Sequence, residues 1–283
     1  MEEHDDESGL IRLAKLMARR GLCSRREAEE WITAGRVAVD GEVVTVPVSV
    51  NPEKQVIKVD GKRLPAAPQF IYFIMYKPKG YITGRDDPDG RPSVHDLLGE
   101  ISVRVEPVGR LDFDTEGALL LTNDGDLAHK LTHPSMKVPK RYLAKVWRRP
   151  SPEQLGLIER GEIFLEDGRV PPSKVRVVEA TDKENCWVEI TVTEGRNRLI
   201  RRLFAQLKHP VSKLRRESFA TISIRDMERG QVRLLTGAEL RRLREIASGT
   251  KPQRAGHAHA KPKPGGSTGS KKRVVRAPTK RRK

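Results

Sequence analysis

Residues 249–283 set the first limit on what this chain can fold into. They hold 12 Lys/Arg, no acid and few apolar side chains. Such a segment has little to bury against the entropy lost on ordering. It is expected to be a disordered basic tail that attracts RNA. The whole chain has 55 Lys/Arg against 38 Asp/Glu, a formal charge of +17. Residues 1–248 keep 43 of those cations and every acid, so their surplus is only +5. An excess of this size points to polyanionic partners, nucleic acid before an acidic membrane surface. The longest apolar run, Phe70 to Tyr76, is too short to cross a bilayer. The acidic start MEEHDDESG lacks the basic-then-apolar pattern of a signal peptide. The expectation is a cytoplasmic protein with no membrane partner. Cys23 and Cys186 match no metal-ligand spacing and read as free thiols of a reducing compartment.

Ahead of the tail, 36% hydrophobic content is enough for folded domains. Residues 1–9 read as a disordered acidic lead. LIRLAKLMARR, 10–20, places Leu10, Leu13, Leu16 and Met17 at helical spacing, and Gly21 stops it. Ser24-Arg-Arg-Glu27 is a capping box opening a second helix to about Ala34, with Ala28, Trp31 and Ile32 on one face. VAVDGEVV alternates around Asp40-Gly41, a hairpin signal, and QVIKVDGKRL adds a short strand. Residues 10–64 therefore read as a small domain, and LPAAPQ, 64–69, as a linker.

The larger region, 70–248, has strand-like runs at 70–76, 141–147, 173–180, 186–194 and 213–224. Helix-like runs fall at 125–133, 151–161, 196–207 and 236–248. The two kinds do not alternate regularly. That favours an α+β fold with a mixed or mostly antiparallel sheet over a doubly wound parallel one.

Residues 109–117, GRLDFDTEG, crowd three acids between two glycines. A bare segment of this kind reads as a solvated loop. Asp112, Asp114 and Glu116 are spaced like part of a calcium loop, but its glycine and its terminal glutamate are out of place, so no metal site is expected. The seven histidines form no ligand pattern. His129 and His133 have an i, i+4 spacing, but no acid follows where a zinc site needs one. Asp60-Gly61 and Asp124-Gly125 read as turns.

The segment does not stand alone. KPKGYITGRDDPDGRPSVHDLL (77–98), VGRLDFDTEGALLLTNDGDLAHKLTHPSMKVPKRYLAKV (108–146) and EGRNRLIRRLF (194–204) follow one another in order. Together they resemble the sequence blocks of ribosomal-RNA pseudouridine synthases of the RsuA/RluB type. Residues 10–62 resemble the S4-like RNA-binding domain that precedes the catalytic domain in that family. The fold this implies is an S4-like domain (10–64), a pseudouridine synthase domain (70–248) and a basic tail (249–283).

The resemblance implies that Asp112 is the catalytic carboxylate, Tyr142 the ring that stacks on the target base and Arg201 the cation paired with Asp112. A carboxylate under a flipped base would tend to protonate through desolvation, and a neighbouring cation opposes that. Arg110 would hold the extruded nucleotide, and Ile200 and Leu203 would wall the base. Leu199 departs from the family pattern, which commonly has a polar side chain there. Moving uracil from its N1 to its C5 linkage needs no redox change and loses no atom, so no cofactor is expected. In the S4-like region Arg12, Lys15, Arg19, Arg20, Arg25, Arg26 and Arg36 would meet RNA phosphates.

The expected activity is isomerisation of one uridine in rRNA, 23S before 16S. The expected state is a monomer acting on naked or partly assembled (pre-ribosomal) RNA. A tRNA pseudouridine synthase and a non-catalytic ribosome-assembly factor are the rival readings.

Overall fold

The protein is described from a computed structural model, which covers residues 9–85, 87–180 and 185–249. The acidic lead and the basic tail, except Gly9 and Gly249, lie outside the described residues. The chain divides into two compact units. One takes the described residues from Gly9 to Ile71 with Ser102–Val105 and Asn123–Gly125. The other takes the described residues of Tyr72–Ile101, Glu106–Thr122 and the chain from Asp126 to Gly249.

The first unit contains β1 (Ile11–Arg12), α1 (Leu13–Arg19), α2 (Arg25–Thr33), β2 (Val37–Val39), β3 (Glu42–Val44), β4 (Ser49–Val50), β5 (Ile57–Val59) and β6 (Lys62–Arg63). Helix α1 starts three residues later than its periodicity suggests, because Ile11 and Arg12 pair with Val50 and Ser49. Leu10 is accordingly exposed, while Leu13, Leu16 and Met17 enter the core with Ala28, Ile32 and Val37. The capping box forms: Ser24 Oγ accepts from Glu27 N at 3.1 Å and Glu27 Oε2 accepts from Ser24 N at 2.6 Å. Asp40 and Gly41 both take positive φ, 54° and 96°, as a two-residue hairpin between β2 and β3 requires. Asp60-Gly61 repeats the device, so QVIKVDGKRL is a hairpin, β5–β6, rather than one strand.

The second unit contains β7 (Tyr72–Lys77), β8 (Glu106–Pro107), β9 (Glu116–Thr122), α3 (Gly125–Thr132), β10 (Lys140–Trp147), α4 (Pro152–Arg160), β11 (Phe164–Leu165), β12 (Gly168–Arg169), β13 (Lys174–Ala180), β14 (Asn185–Val192), α5 (Leu199–Gln206), β15 (Val211–Phe219), β16 (Ile222–Ser223), β17 (Val232–Leu234) and α6 (Gly237–Ala247). Its main sheet runs β13-β14-β10-β15-β9-β7-β17, with β8 beside β9 and β16 beside β15. The β15–β9 pair is parallel and the other pairs of this sheet are antiparallel. The mixed sheet agrees with the α+β reading.

Strand β9 went unread in the sequence. Gly117 to Thr122 are all buried, so the strand shows a continuous apolar run and no alternation. The acid-rich loop ends at Thr115. Gly117 has φ 126°, and a Cβ there would overlap the Arg216 backbone, with Arg216 N only 2.5 Å away. Glycine is what lets β9 and β15 approach.

Two apolar cores cover the sheet. One holds β10, β13 and β14 residues with α4 and α5. The other holds β7 and β9 residues with α3 and α6. Strand β15 contributes to both, through Leu214 and Phe219.

Candidate catalytic cleft

The loop 109–115 is fixed from beneath. Leu111 is buried, and Thr83 clamps it twice, its Oγ1 accepting from Leu111 N and donating to Leu111 O. Lys77, at the end of β7, is fully buried. Its Nζ donates to the carbonyls of Pro78 (3.1 Å), Asp112 (3.1 Å) and Thr115 (2.9 Å), which uses all three of its N–H groups. Burial pushes the Lys77 pKa down to about 8, opposed by the carboxylates of Asp112, Asp114 and Glu116. Thr115 N donates back to Asp112 O at 3.0 Å. The backbone of Asp112 is thus held on both sides while its carboxylate stays one-third accessible. Sequence reasoning missed Lys77 and Thr83. Both lie in the first quoted block, but the lysine closing an apolar run reads as the polar end of a strand.

Asp112 faces a cleft of about 480 Å³. Arg110, Tyr142, Ile200, Leu199, Leu214 and Phe219 are among the residues that line it. That volume lies within the range of small-molecule sites. Arg110 is exposed at the cleft, and Tyr142 is half-buried on β10. Leu203 is not part of the lining. It is fully buried on the core side of α5, so the apolar wall comes from Ile200 with Leu199 and Leu214.

The expected Arg201–Asp112 pair is also redrawn. Arg201 Nη2 meets Asp114 Oδ2 at 2.9 Å and Asp114 O at 3.3 Å, and its Nη1 donates to Val211 O at 3.1 Å. The Asp112 carboxylate is instead approached by Arg198, with Nη1 3.8 Å from Oδ2. Arg198 also reaches Asp114 at 3.5 Å. Arg198 stands at the cleft end of α5 in a left-handed conformation, φ 44°. Arg201 lies one turn further along and meets the loop at Asp114 instead. Arg202 turns to Asp167, 2.7 Å away.

The cleft sits where β15 passes from β10 to β9. The β10–β15 register pairs Lys140 with Phe219, Arg141 with Ser218 and Tyr142 with Arg216, leaving Glu217 as an extra residue. A bulge of this kind shifts which side chains share a face. It brings Phe219, and not Ser218, opposite Lys140, so Lys140, Tyr142, Arg216 and Phe219 all line the cleft.

In the first unit the expected phosphate-binding residues differ in access. Arg12, Arg25 and Arg26 are exposed and Arg19 and Arg20 half-buried. Lys15 is only 9% exposed. Arg20 donates to Pro65 O at 2.9 Å. Arg36 is engaged with Asp60 through two hydrogen bonds of 2.6 and 3.0 Å and lies over the Trp31 ring at 4.4 Å.

Among the described residues no group of three or more His, Cys, Asp or Glu could hold a metal ion, and no helix is long and apolar enough to cross a membrane.

Comparison with known proteins addresses both units. Residues 71–206 match the RNA pseudouridylate synthase family and residues 11–56 the S4 domain. The chain is 43% identical over 238 residues to ribosomal large subunit pseudouridine synthase B of Bacillus subtilis, covering 83% of this chain and 96% of the relative. It is 40% identical over 222 residues to the Salmonella typhi protein of the same name, covering 75% of each. A crystal structure of a pseudouridylate synthase superposes with a TM-score of 0.59 at 28% identity, over 82% of this chain and 99% of that one. The conjunction of these matches with an aspartate-bearing cleft places the chain in the RNA pseudouridylate synthase family, with an S4 domain at its N-terminal end.

Proposed function

We propose that this enzyme converts a specific uridine of 23S rRNA into pseudouridine without a cofactor. The observation that carries the reading is Asp112, its carbonyl held by Lys77 and its neighbour Leu111 by Thr83, at the edge of a cleft that Tyr142 also lines. The similarity to large-subunit synthases over most of their length supports 23S rRNA as the substrate. The chemistry breaks the N1–C1′ bond, turns the uracil and joins C5 to C1′. The C5 proton leaves and N1 gains one. A carboxylate beside the ribose can serve this as nucleophile, base or stabiliser of positive charge. Tyr142 offers a flat face on which the extruded base can stack, the common way of holding flipped bases. Arg110 holds the flipped nucleotide at the rim. Arg201 acts through Asp114, keeping the loop in place, and Arg198 supplies positive charge near Asp112.

In this reading residues 10–64 dock RNA phosphates, 70–248 carry out catalysis, and 249–283 add a salt-sensitive attraction to the polyanion. Exposed Arg12, Arg25 and Arg26 lead the docking. The protein works in the cytoplasm as a monomer, on rRNA not yet fully assembled. The test is incubation of purified protein with 23S, 16S and tRNA transcripts labelled with tritium at uridine C5. Isomerisation frees that hydrogen. Release from 23S alone, stoichiometric with one site, supports the reading. Release from 16S or tRNA alone overturns the substrate, and binding without release from any RNA leaves an assembly factor.

A further inference from the structure

The cleft has a face that the expected residues leave unused. Arg216 is 1% exposed. Its Nε donates to Ala118 O at 2.7 Å, but its Nη2 is buried and has no hydrogen-bond partner. Lys140 is 9% exposed, and its Nζ donates to Val138 O at 3.1 Å and Thr193 O at 3.5 Å, leaving one of three N–H groups unused. Both cations stand over one ring: Arg216 Cζ is 5.2 Å and Lys140 Nζ 5.6 Å from the Phe219 centroid. Among the described residues neither pairs with a carboxylate. Two like charges held together in a poorly hydrated place are unfavourable, as is an unmade buried hydrogen bond. The Glu217 bulge is what puts Phe219 on the same face as Arg216, opposite Lys140. Consistent with this crowding, burial and the neighbouring Arg216 push the Lys140 pKa down to about 8, against the opposing charge of Glu194.

We infer that Arg216 and Lys140 form the base-recognising floor of the cleft, donating to the two carbonyl oxygens of uracil. The inference rests on the pseudouridine synthase reading above. When the N1–C1′ bond breaks, its electron pair stays with the base, and the charge spreads onto O2 and O4. Donors already in place for those oxygens act more strongly as charge develops, without reorganisation. Cytosine presents an amino group where uracil has O4, so a donor would face a donor, which favours uracil. Tyr142, opposite Arg216 on the neighbouring strand, would cover the ring. Arg216 and Lys140 are thus specificity-determining residues distinct from Asp112.

The test uses the full-length enzyme and a short RNA containing the uridine that the wild type modifies, made with uridine, 2-thiouridine or 4-thiouridine at that position. A thiocarbonyl is the weaker acceptor. Single-turnover rate and RNA dissociation constant are measured for wild type, Arg216→Met and Lys140→Met. The wild type is expected to slow about tenfold on each thio substrate. Each variant is expected to be at least about tenfold slower on uridine, to lose sensitivity to one thio position, and to keep its RNA affinity within about twofold. Variants with the wild-type pattern of thio effects overturn the inference. So does loss of RNA affinity and of its salt dependence at an unchanged rate, which assigns the cations to phosphate. If Arg216→Met fails to fold, Lys140→Met and the wild-type thio effects decide, and a wild type indifferent to both thio positions overturns it. A wild type that modifies no uridine in any RNA marks failure of the underlying reading instead, and is seen before any variant is made.

Discussion

The two units use positive charge in opposite ways. In the N-terminal unit Arg12, Arg25 and Arg26 stand exposed around a short helical pair. In the catalytic unit Lys77, Lys140 and Arg216 are buried, and their hydrogen bonds go mainly to backbone carbonyls. An exposed cation acts through a field that salt screens, and it tolerates displacement. A buried one acts through fixed geometry and costs desolvation wherever a contact is missing. The first arrangement suits gathering a polyanion of varied shape. The second suits holding one carboxylate and one small ring in register.

The contrast breaks most sharply at Asp112. Asp112→Asn keeps size and backbone contacts, since Lys77 binds the Asp112 carbonyl and not its side chain. Pseudouridine formation is expected to fall by 10³-fold or more, roughly, with RNA affinity changed less than about twofold. Single-turnover rates and filter binding check this. Next in size is Gly117→Ala, which puts a methyl group into the Arg216 backbone at a positive φ. A loss of about 3 kcal/mol of stability is expected in denaturant titration, with the N-terminal unit's own transition unmoved.

Alkaline pH separates stability from activity. Lys77 and Lys140 have pKa values of about 8, against an ordinary 10.5. Between those values the unfolded chain binds more protons, so the contribution of these two groups to stability rises with pH. Below about pH 8 the folded protein bears the cost of keeping both charged. Activity is expected to go the other way, because neutral Lys77 can serve only two of its three carbonyls. A rate that falls above pH 8 while the melting temperature of the catalytic unit holds agrees with this; parallel loss contradicts it.

The surface side of the comparison is tested by Arg12→Ala/Arg25→Ala/Arg26→Ala. RNA affinity should drop and the slope of log K against log salt should shrink by about 2–3, with the rate at saturating enzyme unchanged. Arg36→Ala is the smallest. Its partner Asp60 is half-exposed and screened by solvent, so only a slight loss of stability is expected in unfolding measurements.

How far these features were legible in the sequence follows the same division. The capping box at Ser24 and the hairpin at Asp40-Gly41 are local, and their residues specify them alone. The irregular order of helices and strands was enough to imply a mixed sheet. Asp112, Arg110, Tyr142 and Arg201 could be picked out because motif blocks carried them. Long-range pairing was not legible. Strand β9 has no alternation because both its faces are covered. The partner of Arg201 depends on which turn of α5 faces the loop. Leu203 looks the same as Ile200 in a motif, yet one lies in the core and the other lines the cleft. The bulge at Glu217 leaves no local signal, and it is what puts Arg216 and Phe219 on the same cleft face, opposite Tyr142 and Lys140.

The most direct measurement is carbodiimide mapping of pseudouridine, by primer extension, on 23S and 16S rRNA from a strain lacking this gene. The strain is complemented with wild type, with Asp112→Asn or with nothing. The account predicts one 23S stop that is absent in the deletion strain, restored by the wild type and not by Asp112→Asn. A stop restored equally by Asp112→Asn, or no rRNA stop that depends on the gene, would contradict it.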